Sequence, residues 1–288
     1  MDQAEKLRRL VNDKTTQKKN KFRVITVTSG KGGVGKSSFV VNLAVALKLR
    51  GLKVAILDAD IGMANVDIMY GVKSKYSLFD LVFNNKNINE IIEMTQEGIK
   101  IIPGGSGLKD IVDLNEEQRV RLIKEFEKLD DIDILIVDTG AGVSKTILNF
   151  VAISDEVIVI TTPEPTALTD AYSLIKIIKN KFQDANINVV INKVRNIKEA
   201  RETFEKLSNT VNVFLKSKIN YRGFLFEDKK VPISIIEQRP YLISFPKTEA
   251  SMCIMKIASD VIGLEKENKN NTIKDVFFKL FGRMGLGS

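Results

Sequence analysis

Six short apolar runs punctuate the chain: FRVITVTS, KVAILD, GIKIIPGG, DILIVD, DEVIVIT and INVVINK. They are rich in β-branched residues, they do not alternate apolar with polar, and turn formers bound them. A strand with one wet face alternates, whereas one buried on both faces reads as a continuous apolar run. Each run therefore predicts a doubly buried strand. Helical periodicity fills several of the gaps, at 36–50, 115–129, 166–182 and 197–207. Strand–helix alternation of this kind predicts an α/β fold: a mostly parallel sheet flanked by helices, with right-handed crossovers. No Pro/Gly/Ser-rich linker interrupts residues 23–264, which predicts one domain there.

The pattern changes at both ends. In residues 1–22, Ala4, Leu7 and Leu10–Val11 recur at helix spacing before a basic linker, KTTQKKNK. Residues 265–288 open with the polar EKENKNN and close with TIKDVFFKLFGRMGLGS. There Ile273, Val276, Phe277, Leu280 and Met284 share one helical face, with Phe281 at its edge. Asp275, Lys279 and Arg283 lie opposite. Such a face has two destinations, a lipid surface or the protein's own body, and the pattern alone does not choose between them.

Charge and composition narrow the function classes. The net charge is +8, but residues 1–23 carry eight basic and three acidic side chains, and residues 265–288 five and three. The body between is close to neutral, so a nucleic-acid-coating surface is not indicated. There is no histidine, which excludes histidine metal ligands, a Ser-His-Asp triad and histidine general bases. The lone cysteine, Cys253, supports neither an internal disulfide framework nor an all-cysteine cluster within one subunit. No apolar run spans a bilayer and MDQAEKLRRLVNDK is no signal peptide, so a cytoplasmic location is expected.

The stretch SGKGGVGKSS carries the first chemistry. Gly30 through Ser37 satisfy G-x-x-x-x-G-K-[ST], after a predicted strand and at the start of a predicted helix. Consecutive amides there form an anion nest at a helix N-terminus. The candidate nucleotide site is Gly30, Lys31, Gly32, Gly33, Val34, Gly35, Lys36, Ser37 and Ser38. Lys36 is expected on the β- and γ-phosphates and Ser37 on Mg²⁺.

One phosphate lysine suffices, yet the loop has two. The run K-G-G-V-G-K-S resembles the deviant Walker A motif of the MinD/ParA (SIMIBI) class of P-loop ATPases. The resemblance covers roughly 23–264 and implies that Lys31 reaches the nucleotide of a partner subunit, making dimerisation a condition for hydrolysis. Strand KVAILD runs into Asp58-Ala-Asp60-Ile-Gly62-Met-Ala-Asn65, similar to the class pattern D-x-D-x-G-x-x-N. That implies Asp60 as the group orienting the attacking water and Asp58 as holder of a water on the magnesium. Strand DILIVD ends in Asp138-Thr-Gly140-Ala-Gly142, read as a Walker B aspartate, bound to Mg²⁺ through water, leading into a switch loop. At the end of INVVINK, Asn192 either hydrogen-bonds adenine, as the resemblance implies, or caps a strand end. Arg195 stands where a GTPase needs a carboxylate for guanine, so ATP is the expected nucleotide.

Within the class the chain resembles the flagellar FlhG family, also called FleN or YlxH, which sets flagellar number and placement. Three segments carry the likeness. Asp2-Gln3-Ala4-x-x-Leu7-Arg8 matches a D-Q-A-x-x-L-R motif, Pro103-Gly-Gly-Ser-Gly107 a P-G-G-S-G turn, and Thr162 through Asp170-Ala-Tyr a T-P-E-P-T…D-A-Y segment. The last two also have a plain reading, with Pro163 and Pro165 stopping a strand and Thr166 starting a helix. The resemblance implies a slow ATPase and an ATP-bound homodimer. It also implies a partner GTPase, FlhF, activated by Asp2, Gln3, Ala4, Leu7 and Arg8, and flagellar switch components as further partners. It assigns Ile273, Val276, Phe277, Leu280 and Phe281 to the inner face of the cell membrane when ATP is bound, with that helix folded back on the body in the monomer. MinD itself, a division-site ATPase, is the alternative, and a ParA-type DNA-partition ATPase comes third. Iron–sulfur carriers of the superfamily need clustered cysteines, and a bacterial tyrosine kinase needs a terminal tyrosine cluster; neither is present.

Overall fold

The computed structural model describes residues 22–60, 66–105, 114–129, 131–263, 276 and 278–280. All six expected strands form: β1 (Arg23–Ser29), β2 (Val54–Ala59), β4 (Lys100–Pro103), β5 (Ile134–Ala141), β6 (Glu156–Thr161) and β7 (Ile187–Val194). Two more complete the sheet, β3 (Glu93–Met94) and β8 (Asn220–Phe226), giving the order β3-β4-β2-β5-β1-β6-β7-β8. All neighbours run parallel except β3, which pairs antiparallel with β4. β1 is buried at every residue, as its unbroken apolar run requires.

The four expected helices are present as α1 (Lys36–Leu49), α5 (Glu116–Glu127), α7 (Pro165–Lys181) and α8 (Ile197–Leu215). α8 runs eight residues beyond the expected end, because Leu207 and Val211 continue its buried stripe until Lys216 turns left-handed at φ 49°. Pro165 does not stop a strand. It occupies the first turn of α7, where its missing N–H has no partner to lose. Thr166 lies within the helix rather than starting it. The pattern also missed the short helices α2 (Val66–Met69), α3 (Leu78–Phe83), α4 (Ile88–Ile91), α9 (Lys230–Ile236) and α10 (Tyr241–Ser244), and the longer α6 (Lys145–Ile153) and α11 (Glu249–Gly263).

Hydrophobic packing covers both faces of the sheet. On one face Ile25, Val27, Ile56, Ile158 and Val190 pack with α1 and α11. On the other, Val24, Leu57 and Val137 pack with α3, α4 and α5, and Val157, Val159 and Val189 with α7 and α8. α1 lies deep: every residue from Lys36 to Leu47 is buried. At the sheet's opposite end from the phosphate loop, buried Glu156 accepts from Arg23 at 3.3 Å and forms an ion pair with Arg222 at 2.5 Å, so two guanidinium groups flank its charge.

Of the expected lipid-facing residues, Val276 and Leu280 are each 1% exposed. They join the cluster containing Leu78, Leu81, Phe126 and Ile153. In this form the two face protein, the alternative to lipid that the apolar pattern left open. Ile273, Phe277 and Phe281 lie outside the described residues, as do Asp2, Gln3, Ala4, Leu7 and Arg8. No described helix is long and apolar enough to cross a membrane.

Candidate functional site

The site gathers where parallel strands end. β1 leads directly into the glycine loop, and α1 follows with Gly35 at its N-cap in the left-handed region, φ 90°. No side chain caps α1, so its first amides remain available to an anion. Gly33 is also left-handed, at φ 76°. Gly30 is needed for another reason. A Cβ there would come within 2.2 Å of the Asp170 carbonyl carbon and 2.6 Å of the Ala171 nitrogen, in the backbone of α7. Part of the T-P-E-P-T…D-A-Y segment is therefore the wall against which the loop rests.

The register of β2 against β5 pairs Asp58 with Asp138, side by side at the strand ends. Lys36 Nζ lies 2.6 Å from Asp138 Oδ1, and both side chains are buried. The lysine expected on phosphate is thus paired with Asp138. The second oxygen, Asp138 Oδ2, is buried without a hydrogen-bond partner. Burial pushes the Asp138 carboxyl up, against the pull of Lys36. Burial, then the charge of Asp138, pushes Asp58 up to about 7, although the amides of Asp60 and Val66 donate to it. Gly104 N donates to the Asp58 carbonyl at 2.9 Å, so the P-G-G turn braces this strand end. Asp60 lies against Gly140, whose Cβ would come within 3.3 Å of Asp60 Oδ1. Gly142, at φ 83°, donates its N–H to the Ser29 carbonyl, tying the loop after β5 to β1. Gly62 and Asn65 lie outside the described residues.

Two crowded carboxylates and an orphaned oxygen, beside Ser37 at the start of α1, fit a divalent cation. Its charge would reverse the penalty that burial imposes on them. Ser37, Asp58 and Asp138 are the residues that would hold the ion. The cation would supply charge neutralisation of the phosphate oxygens.

This arrangement predicts a pH signature. A carboxyl whose folded pKa is raised above 3.8 stabilises the fold below that value, and the contribution is lost as pH rises through the folded pKa, about 7 for Asp58. At about 1.4 kcal/mol per pH unit the loss is at most on the order of 4 kcal/mol. The protein without added nucleotide is expected to lose Tm between about pH 4 and 7, and Asp58→Asn to flatten that slope. An unchanged slope in the variant would show that Asp58 is not its source.

Lys31 does not turn into the loop. Its Nζ is 3.1 Å from Glu164 Oε2 and 2.9 Å from Thr166 Oγ1, at the start of α7 and partly exposed. Asn192 reaches the loop rather than merely ending a strand: its Nδ2 donates to the Val34 carbonyl at 2.8 Å. Sequence reasoning missed two residues at this site. Glu164 lies inside a quoted motif, but nothing in the pattern pairs it with Lys31. Lys193 donates to the Gly33 carbonyl at 2.9 Å, from a strand end that reads only as a polar terminus.

A family description, "ParA: NUBPL iron-transfer P-loop NTPase", matches residues 20–262. The chain belongs to the ParA family of P-loop NTPases. It is 36% identical to the antiactivator FleN of Pseudomonas aeruginosa over 83% of this chain and 86% of that protein. It is 32% identical to the flagellum site-determining protein YlxH of Helicobacter pylori over 99% of each. Its fold matches the septum site-determining protein MinD complexed with Mg-ADP from Pyrococcus horikoshii. The TM-score is 0.68 at 24% identity, over 85% of this chain and 98% of that one. As a ParA-family P-loop NTPase the protein is an enzyme that hydrolyses a nucleoside triphosphate.

Proposed function

We propose that this chain is an ATP-driven dimerising switch that controls where and how many flagella form. The observation that carries the reading is the second loop lysine, Lys31, on a chain similar along most of its length to FleN and YlxH. ATP is the nucleotide: Arg195 stands where guanine would require a carboxylate, and Asn192 lies beside the loop to meet adenine. Two subunits close over their nucleotides, Lys31 of each leaves its own Glu164 for the partner's phosphates, and Asp60 orients the water. Hydrolysis is slow and resets the switch.

Membrane residence follows the dimer. Val276 and Leu280 must leave the core cluster before a lipid surface can take them, at roughly 1.5–3 kcal/mol each for a fully buried side chain. Two released helices on one dimer compensate through effective concentration. The N-terminal segment, Asp2 to Arg8, engages the GTPase FlhF and completes its phosphate site. Mixing the protein with FlhF is expected to raise GTP hydrolysis about tenfold or more, as an added cationic group does in phosphoryl transfer. Deleting residues 1–22 is expected to abolish the effect. Equal stimulation by the truncated chain would remove FlhF activation from this reading. A MinD-type role at the division site is the second reading, supported by the shared fold, and it predicts a function indifferent to that deletion.

A further inference from the structure

At the end of β7 the chain takes a conformation that lysine rarely adopts. Lys193 has φ 57°, in the left-handed region. For a residue with a Cβ this costs about 1–2 kcal/mol, and such strain persists only where the surroundings impose it. The pairing of β7 with β8 also shifts register between Ile191 and Val194. The irregularity brings two successive side chains, Asn192 and Lys193, onto the phosphate loop.

Their targets are successive too. Lys193 Nζ donates to the Gly33 carbonyl at 2.9 Å, and Asn192 Nδ2 to the Val34 carbonyl at 2.8 Å. In a planar trans peptide the C=O of one residue and the N–H of the next point in opposite directions. Drawing the Gly33 oxygen towards β7 therefore turns the Val34 N–H away from it. Drawing the Val34 oxygen does the same to the Gly35 N–H. An anion nest consists of such amides, aimed inward while their carbonyls face out. Asn192 Oδ1 accepts from the Lys193 N–H at 2.8 Å, so the two clamps brace one another.

We propose that Lys193 is a positioning residue for the triphosphate, holding the Val34 amide aimed into the cradle before nucleotide arrives, beside Asn192, which holds that of Gly35. The assignment rests on the P-loop reading of residues 30–37 and adds to it a group outside the motif. Lys193 touches no reacting atom in this role. It acts through the peptide planes of the loop, and the strain at its own backbone is the cost of placing its amine there.

Three variants test this. Lys193→Met keeps the stem and removes the donor. Lys193→Gly removes both the donor and the backbone strain, and Lys193→Arg retains a donor. Binding is read by displacement of a fluorescent ADP analogue with ATP and, separately, with inorganic triphosphate. Lys193→Met and Lys193→Gly are expected to weaken both competitors by the same factor, roughly tenfold for a lost charge-assisted hydrogen bond. Lys193→Arg is expected to recover most of that loss. Lys193→Gly is expected to melt no lower than the parent while binding worse, a divergence that a merely structural lysine would not give. Weakened ATP with unchanged triphosphate would overturn the proposal and place Lys193 on the base. Unchanged binding of both would overturn it outright. Lys36→Ala, run alongside, separates the two levels: if that variant binds nucleotide normally, the P-loop reading itself has failed.

Discussion

Lys31→Ala is expected to lower ATP turnover by roughly a hundredfold, the scale of one lost donor to a developing oxyanion, while a single subunit binds ATP almost normally. Lys36 is the lysine that faces the buried carboxylates of its own chain, paired with Asp138. Lys31 points elsewhere, to Glu164 and Thr166 at the start of α7. An ion pair this exposed contributes about 0–1 kcal/mol, so it releases the lysine readily when a stronger anion is offered. Asp60→Ala should be as slow, for a different reason: the water loses its orienting carboxylate, and the ATP-bound dimer accumulates. Mixing the two variants distinguishes the geometries. If Lys31 acts across the interface, a mixed dimer holds one complete site, built from the Asp60 of one subunit and the Lys31 of the other. Turnover of the mixture then rises well above either parent. If Lys31 acts within its own chain, the mixture stays as slow as its components.

Gly30→Ala is expected to disable the loop through packing rather than through lost phosphate contacts. The added methyl would stand 2.3 Å from the Asp170 carbonyl oxygen and 2.6 Å from the Ala171 nitrogen. Neither atom retreats easily, because Ala167, Ala171 and Leu174 seat α7 against the sheet. Overpacking against rigid backbone costs about 1–3 kcal/mol, sometimes more. In a domain of this size that is a fall in Tm of roughly 2–12 °C. Nucleotide affinity should fall at least about tenfold as the loop is displaced. Gly32→Ala supplies the contrast. Its methyl meets nothing within 4 Å, so its Tm should match the parent even if phosphate approach suffers. Equal melting of the Gly30 and Gly32 variants would mean that α7 gives way.

The phosphate loop was legible because its chemistry is local: the glycines, Lys36 and Ser37 are consecutive, and the loop's own backbone forms the nest. The strands were legible because burial on both faces writes itself as an unbroken β-branched run. Asp58 and Asp138 could be named from their strand ends, but their adjacency, and the titration of Asp58 near 7, come from the register of β2 on β5. β8 went unread because NYRGFLF lies at the sheet edge, partly exposed, and carries Arg222 inward to Glu156. No local pattern anticipates that ion pair.

Sequence by itself determined the alternating α/β order, the nucleotide loop and the aspartates at two strand ends, since periodicity and short-range spacing encode those. The tertiary structure alone decided which lysine faces inward, that Gly30 answers to a helix, that Asn192 and Lys193 clamp the loop, and that Val276 and Leu280 lie in the core. Each of these joins residues far apart along the chain. Such contacts depend on the order in which strands pair, and no stretch of sequence carries that order on its own.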